Sequence, residues 1–131
     1  MVNKKSRLLV LNYPFVLAFK KRGENEHSLI GGTIETGESP LIALFREVKE
    51  ESGIKINEAD IVCLGEDKML KASVEHIRYY YQLVDIDRDF KLIETNKFES
   101  LEWVDFNVSK KTFKKLDQKM ITTVFEKERV F

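Results

Sequence analysis

The segment between residues 39 and 53 leaves its backbone little choice, because both ends carry helix-boundary chemistry. Ser39 offers a side-chain oxygen to free backbone amides, and Pro40 suits the first helical position, where its missing N–H had no partner to lose. Gly53 closes the segment, since glycine accepts the left-handed conformation that commonly ends a helix. Leu41, Leu44, Phe45 and Val48 recur at three and four residues, which predicts a helix over about 40–52 with one buried face. Glu47, Glu50 and Glu51 share one edge of it, within an arc of roughly 100°. Like charges at this spacing cost a helix about 0.2–0.5 kcal/mol per pair, and the negative end of the helix dipole adds to that. Something has to offset the repulsion.

An isolated Glu-x-x-Glu-Glu string reads most simply as a solvated helix face, with Arg46 and Lys49 as its neutralising partners. The surroundings argue for more. With Gly32 and Glu38 in front and Gly53 behind, the chain reads Gly32-x5-Glu38-x7-Arg46-Glu47-Val48-x-Glu50-Glu51-x-Gly53-Ile54. This resembles the Nudix signature at every specified position, a coincidence expected less than about once in a million chains. Cleaving a pyrophosphate bond builds negative charge on phosphoryl oxygens, so it calls for a divalent metal, and magnesium prefers hard oxygen ligands. The Gly31-Gly32 pair lets the backbone approach such a metal or a phosphate closely.

The resemblance implies the Nudix fold, an α/β/α sandwich with a mixed β-sheet in which the box, residues 32–54, forms a loop-helix-loop. It implies that Glu47, Glu50 and Glu51 hold Mg²⁺ or Mn²⁺, that the Gly32 region supplies a backbone oxygen, that Arg46 orients a box glutamate and that Glu38 supports the loop. A further glutamate from the loop before the last strand joins the site in several branches. Glu94 and Glu99 are the candidates here, Glu94 the better placed, and Arg22 resembles a position that often meets substrate phosphate. The implied activity is cleavage of a nucleoside diphosphate linked to another group X, with a nucleoside or deoxynucleoside triphosphate as the preferred class. The alternatives are a catalytically silent nucleotide-sensing domain, or hydrolysis of ADP-ribose, dinucleoside polyphosphates or RNA 5′ ends. His27-Ser28-Leu29-Ile30 stands where many members carry Trp-x-x-Pro, and no subfamily tag follows the box.

The rest of the chain fits this frame. Its 131 residues suit one domain, and 43% hydrophobic with 34% charged residues is ordinary for a folded protein. Lys+Arg and Asp+Glu both number 22, so no global basic field draws nucleic acid or an anionic membrane. The expected partner is a small-molecule nucleotide, and a homodimer is compatible with it. A single cysteine, Cys63, excludes an internal disulfide and a cysteine zinc site, and no targeting segment is visible, so the expected location is cytoplasmic.

Leu8–Leu11 and Phe15–Phe19 read as a hairpin about Asn12-Tyr13-Pro14, residues 28–34 as strand-turn-strand, and residues 61–65, 73–74, 77–86 and 100–106 as extended. From Ser109 onward, Phe113, Leu116, Met120, Ile121 and Val124 predict an amphipathic helix with Lys110, Lys111, Lys114 and Lys115 on its solvated face. Alternation along residues 79–81 turns at least one tyrosine, with Tyr79 the candidate, toward a substrate base; core packing is the plainer role.

Overall fold

A computed structural model describes residues 1–128. In chain order the elements are β1 (Val2–Leu9), β2 (Leu11–Asn12), β3 (Phe15–Lys21), β4 (His27–Ser28), β5 (Ile30–Thr33), α1 (Pro40–Ser52), β6 (Ile61–Lys71), β7 (Val74–Leu83), β8 (Phe98–Asp105), α2 (Phe106–Ser109) and α3 (Lys115–Glu128). One sheet runs β5-β1-β7-β6, with β1 and β7 parallel and the outer pairs antiparallel. In the second, β3 pairs with β2, β4 and β8.

Strand side chains alternate between faces, and here the alternation feeds two cores. Leu8, Val10, Leu17, Phe19 and Ile30 join Leu44 and Val48 of α1 in one cluster. Their immediate neighbours Leu9, Val16, Ala18 and Leu29 join Tyr80 and, on α3, Ile121 and Val124 in the other. Helices therefore cover opposite faces of mixed sheet, which is the α/β/α sandwich expected. No described helix is long and apolar enough to cross a membrane.

Helix α1 has the bounds read from sequence. Ser39 accepts the Ile42 amide at 3.2 Å, and Gly53 takes a left-handed φ of 76°. Elsewhere tertiary pairing redraws the elements. The hairpin survives only as Leu11-Asn12 against Phe15-Val16, while Leu8 and Leu9 continue a long β1 that starts at Val2 and pairs with β5 and β7. Strand β6 runs on to Lys71, and Ser73 lies in the turn to β7; the mostly exposed β6 shows no alternating apolar signal. The final helix begins at Lys115 rather than Ser109, because the Lys114 amide bonds the His27 carbonyl at 3.1 Å and Phe113 bridges to His27, holding that stretch out of the helix.

Asp117, 2% exposed, ties α3 to both sheets: its carboxylate accepts the Tyr80 hydroxyl at 2.7 Å and the Leu29 amide at 3.2 Å. Tyr80→Phe removes a donor from a buried charge and is expected to lower unfolding free energy by about 1–3 kcal/mol in urea denaturation. An unchanged midpoint would show that this link contributes nothing to stability.

Candidate active site

Two glycines bring the end of α1 against β5. Gly31 has φ 134°, and a Cβ there would lie 2.0 Å from the Ser6 carbonyl oxygen. Free of that obstacle, its amide donates to Glu51 Oε1 at 2.8 Å. At Gly32 a Cβ would fall 2.6–2.8 Å from the Glu47 carboxylate, so the missing side chain is the space that carboxylate fills.

Arg46 organises the remaining charges. Its guanidinium grips Glu38 through Nε and Nη2 at 2.7 and 2.8 Å, and Nη2 also donates to the Thr33 carbonyl at 3.0 Å. Nη1 reaches Glu47 at 2.9 Å and Glu50 at 3.3 Å. Glu38 in turn accepts the Glu35 amide, and the Arg46 bond together with this one holds its carboxyl down at about 2. The same bidentate partner raises the Arg46 pKa further. The box loop is thereby fastened to the helix by charge-assisted bonds.

Glu51 is 1% exposed, and burial pushes its carboxyl up to about 7 despite the Gly31 amide. The nearest cation, Lys97 Nζ, is 3.7 Å away. Glu47 and Glu51 line a cavity of about 130 Å³ with Gly31, Gly32 and Thr33, and Lys5, Arg7, Lys21, Lys97 and Lys114 border it too. Among the described residues no three His, Cys, Asp or Glu groups stand arranged around one cation position. The donor chemistry nonetheless suits a hard divalent ion: carboxylate oxygens, one of them buried without a full counter-charge, meet a backbone stripped of side chains. Glu47, Glu50, Glu51 and the Gly32 carbonyl are the groups that could hold it, with Arg46 yielding part of its grip on Glu47 and Glu50.

The model of the NUDIX domain family matches residues 1–124. The chain belongs to the Nudix family. Membership implies a hydrolase acting on pyrophosphate bonds. Among solved structures, a MutT NUDIX hydrolase from Burkholderia pseudomallei is similar at TM-score 0.77 and 15% identity, over 93% of this chain and 97% of that one. A MutT protein from Methanosarcina mazei Go1 is similar at 0.76 and 20% identity, over 98% and 95%. A bifunctional NMN adenylyltransferase/ADP ribose pyrophosphatase from Francisella tularensis is similar at 0.75 and 15% identity, over 96% of this chain and 41% of that one. At these identities the likeness is one of fold.

Around the Nudix box, the loop before β8 is tied to the end of α1. The Lys91 amide bonds the Ser52 carbonyl at 3.0 Å and the Ile93 amide the Glu51 carbonyl at 3.4 Å. Glu94 follows directly, half-buried, and its Oε1 is buried without a hydrogen-bond partner. Glu99 is exposed and pairs with Lys20 at 3.6 Å. Arg22 lines no cavity beside the box; its Nε donates to the Thr95 carbonyl at 2.7 Å and so anchors the Glu94 loop. Tyr79 packs into the α1-side core. Sequence reading passed over Lys5, Arg7 and Lys97 and put Lys114 on a solvated helix face, yet all four border the cavity. Burial, then Arg7 and Arg78, bring Lys5 down to about 8. The signal for Lys5 and Arg7 lay in their spacing: both share the strand face of Leu9, which is core. Lys114 sits before α3, not on its solvated face, and pairs with Glu24 at 3.1 Å.

The Glu51 shift fixes a pH dependence. Its folded pKa of about 7 exceeds the ordinary 4.5, so between those values the native state keeps a proton that the unfolded chain has released. This contribution is fully present below about pH 4.5 and is lost as pH rises through 7, by up to about 3 kcal/mol. Metal-free protein should therefore melt lower at pH 7.5 than at pH 5.5, and Glu51→Gln should flatten that slope. A slope unchanged in the variant would contradict the assignment.

Proposed function

We propose that this chain is a magnesium-dependent pyrophosphohydrolase acting on a nucleoside diphosphate linked to X, with nucleoside or deoxynucleoside triphosphates as the preferred class. The observation that carries the reading is the 130 Å³ cavity, lined by Glu47, Glu51 and two glycines together with five Lys and Arg side chains. Such a cleft suits a phosphate chain held between a carboxylate-bound cation and fixed positive charges. Its volume is small, in keeping with a phosphate group rather than a whole nucleotide.

Glu47, Glu50, Glu51 and the Gly32 carbonyl would hold Mg²⁺, or Mn²⁺, which when bound neutralises phosphoryl oxygens and acidifies a water. Arg46 fixes the Glu47 and Glu50 carboxylates through Nη1. Glu94, on the loop docked at the end of α1, is assigned to take the proton of the attacking water; its Oε1 is free of other hydrogen bonds but buried outside the cavity lining, so the loop has to admit that water. Water oxygen bonds to phosphorus, the bond to the bridging oxygen breaks, and a nucleoside monophosphate leaves with a phosphorylated remainder. The lysines and arginines lining the same cavity hold the phosphates and screen the charge that develops on them.

One observation favours a second reading, a nucleotide sensor without turnover: Arg46 spans Glu47 and Glu50, where a cation would compete with it. Tight nucleotide binding without product would mark the sensor. For the enzyme, a nucleotide panel with Mg²⁺ should yield both products, and Glu50→Gln should cut kcat/KM by at least about 10²-fold. Equal rates for parent and variant would remove Glu50 from the site.

A further inference from the structure

A cavity of about 550 Å³ lies beyond the box cavity and shares Arg7 and Lys114 with it. Its lining holds five Lys and Arg side chains, among them Arg78 and Lys115, against only two carboxylates, Glu26 and Asp117. Asp117 is engaged by the Tyr80 hydroxyl and the Leu29 amide, and Glu26 lies 3.8 Å from Lys114, one of the five cations, which leaves the other four without a contact carboxylate in the lining. Met69, Leu70 and Leu116 give it an apolar wall.

The strand register explains the excess of positive charge. Lys5 stands opposite Arg78 and Arg7 opposite Tyr80 in the parallel β1–β7 pair, so all three cations share the sheet face turned away from α1. Like charges directly opposite on one face are destabilising. Among the described residues none of Lys5, Arg7 and Arg78 forms an ion pair with a carboxylate. Arg7 is only 6% exposed; its Nη1 serves the Leu29 and Gly31 carbonyls at 3.1 and 2.7 Å, while its Nε is buried with no acceptor. Arg78 is half-buried and bonds the Asn3 side chain at 2.9 Å. Glu51 acts on Arg7 and Asp117 on Arg78 only from beyond ion-pair distance, and a buried guanidinium balanced at a distance gains from an anion in contact with it.

We propose that this larger cavity is a second anion subsite, in which Arg7 and Arg78, with Lys5 beside them, hold a phosphate ester on the substrate arm remote from the box glutamates. The inference rests on the pyrophosphohydrolase reading only for which end of the substrate lies at the glutamates. The Met69, Leu70 and Leu116 wall takes the carbon skeleton that carries the ester. Within the nucleoside diphosphates linked to X, the subsite thus favours one with a second phosphate ester, on the group that enters this cavity, over a plain nucleoside triphosphate.

Binding without turnover tests the subsite. Calorimetry on the full chain, in EDTA, would compare adenosine 3′,5′-bisphosphate with adenosine 5′-monophosphate, and fructose 1,6-bisphosphate with fructose 6-phosphate. The second phosphate should tighten binding at least about tenfold in one pair or both; the nucleoside pair responding alone identifies a nucleotide arm, the sugar pair alone a sugar arm. Arg78→Ala should bring the responding pair within about twofold, and Arg78→Lys should restore part of the gap. Arg78 is chosen over the more buried Arg7, and thermal melting of both variants checks folding. Equal affinities within both pairs, or a preference that survives Arg78→Ala, would overturn the subsite. A nucleotide panel with Mg²⁺ that gives no products, beside an intact bisphosphate preference, would fell the hydrolase reading and leave the subsite standing.

Discussion

The hydrogen bond from the Gly31 amide to the buried Glu51 carboxylate at 2.8 Å ties the C-terminal end of helix α1 to the edge of the sheet. Gly31 permits it by lacking a side chain, which would collide with the Ser6 carbonyl, and Glu51 reaches it from one residue before the end of the helix. Around it the Glu47 carboxylate fills the space left at Gly32, and the loop before β8 docks on the carbonyls of Glu51 and Ser52. The burial of Glu51 is also what makes the site chemically demanding. A carboxyl pushed to about 7 is poised between neutral and ionised near physiological pH, and a cation beside it would settle the matter in favour of the anion.

The charge pattern around the box cavity draws on separate elements. Carboxylates come from α1, and cations come from β1, from the end of β3, and from the segments before β8 and α3. Zero net charge hides this separation, since the 22 basic residues are spread along the sequence and meet only on folding. The two sheets make the meeting possible by sending alternate residues of β1 to opposite cores. Ser6 and Leu8 face α1, whereas Arg7 and Leu9 face the other side.

Much of this is legible in the order of the amino acids alone. Helix α1 and its caps follow from Ser39, Pro40 and Gly53, whose preferences are local and need no tertiary contact. The box glutamates, Glu38 and Arg46 are picked out by the family resemblance of their spacing, and in the folded chain Arg46 bonds Glu38, Glu47 and Glu50. What the sequence hides depends on partners far along the chain. Arg7 reads as part of a basic terminus, and only its pairing with β5 and β7 buries it. The start of α3 is displaced because Lys114 bonds His27, some ninety residues earlier, a contact that no helical periodicity encodes. Tyr79 and Tyr80 are neighbours with similar β-propensity, and only the register decides that Tyr80 meets Asp117 while Tyr79 joins the α1-side core.

If the site is a metal centre, a divalent cation binds against the buried, proton-poised carboxylate of Glu51. Calorimetric titration of Mg²⁺ at pH 6.5, repeated in buffers of different ionisation enthalpy, counts the protons released on binding. Release of about half a proton or more per cation is expected, fading above pH 8 and absent in Glu51→Gln. Binding with no proton release at pH 6.5, and undiminished in Glu51→Gln, would contradict it.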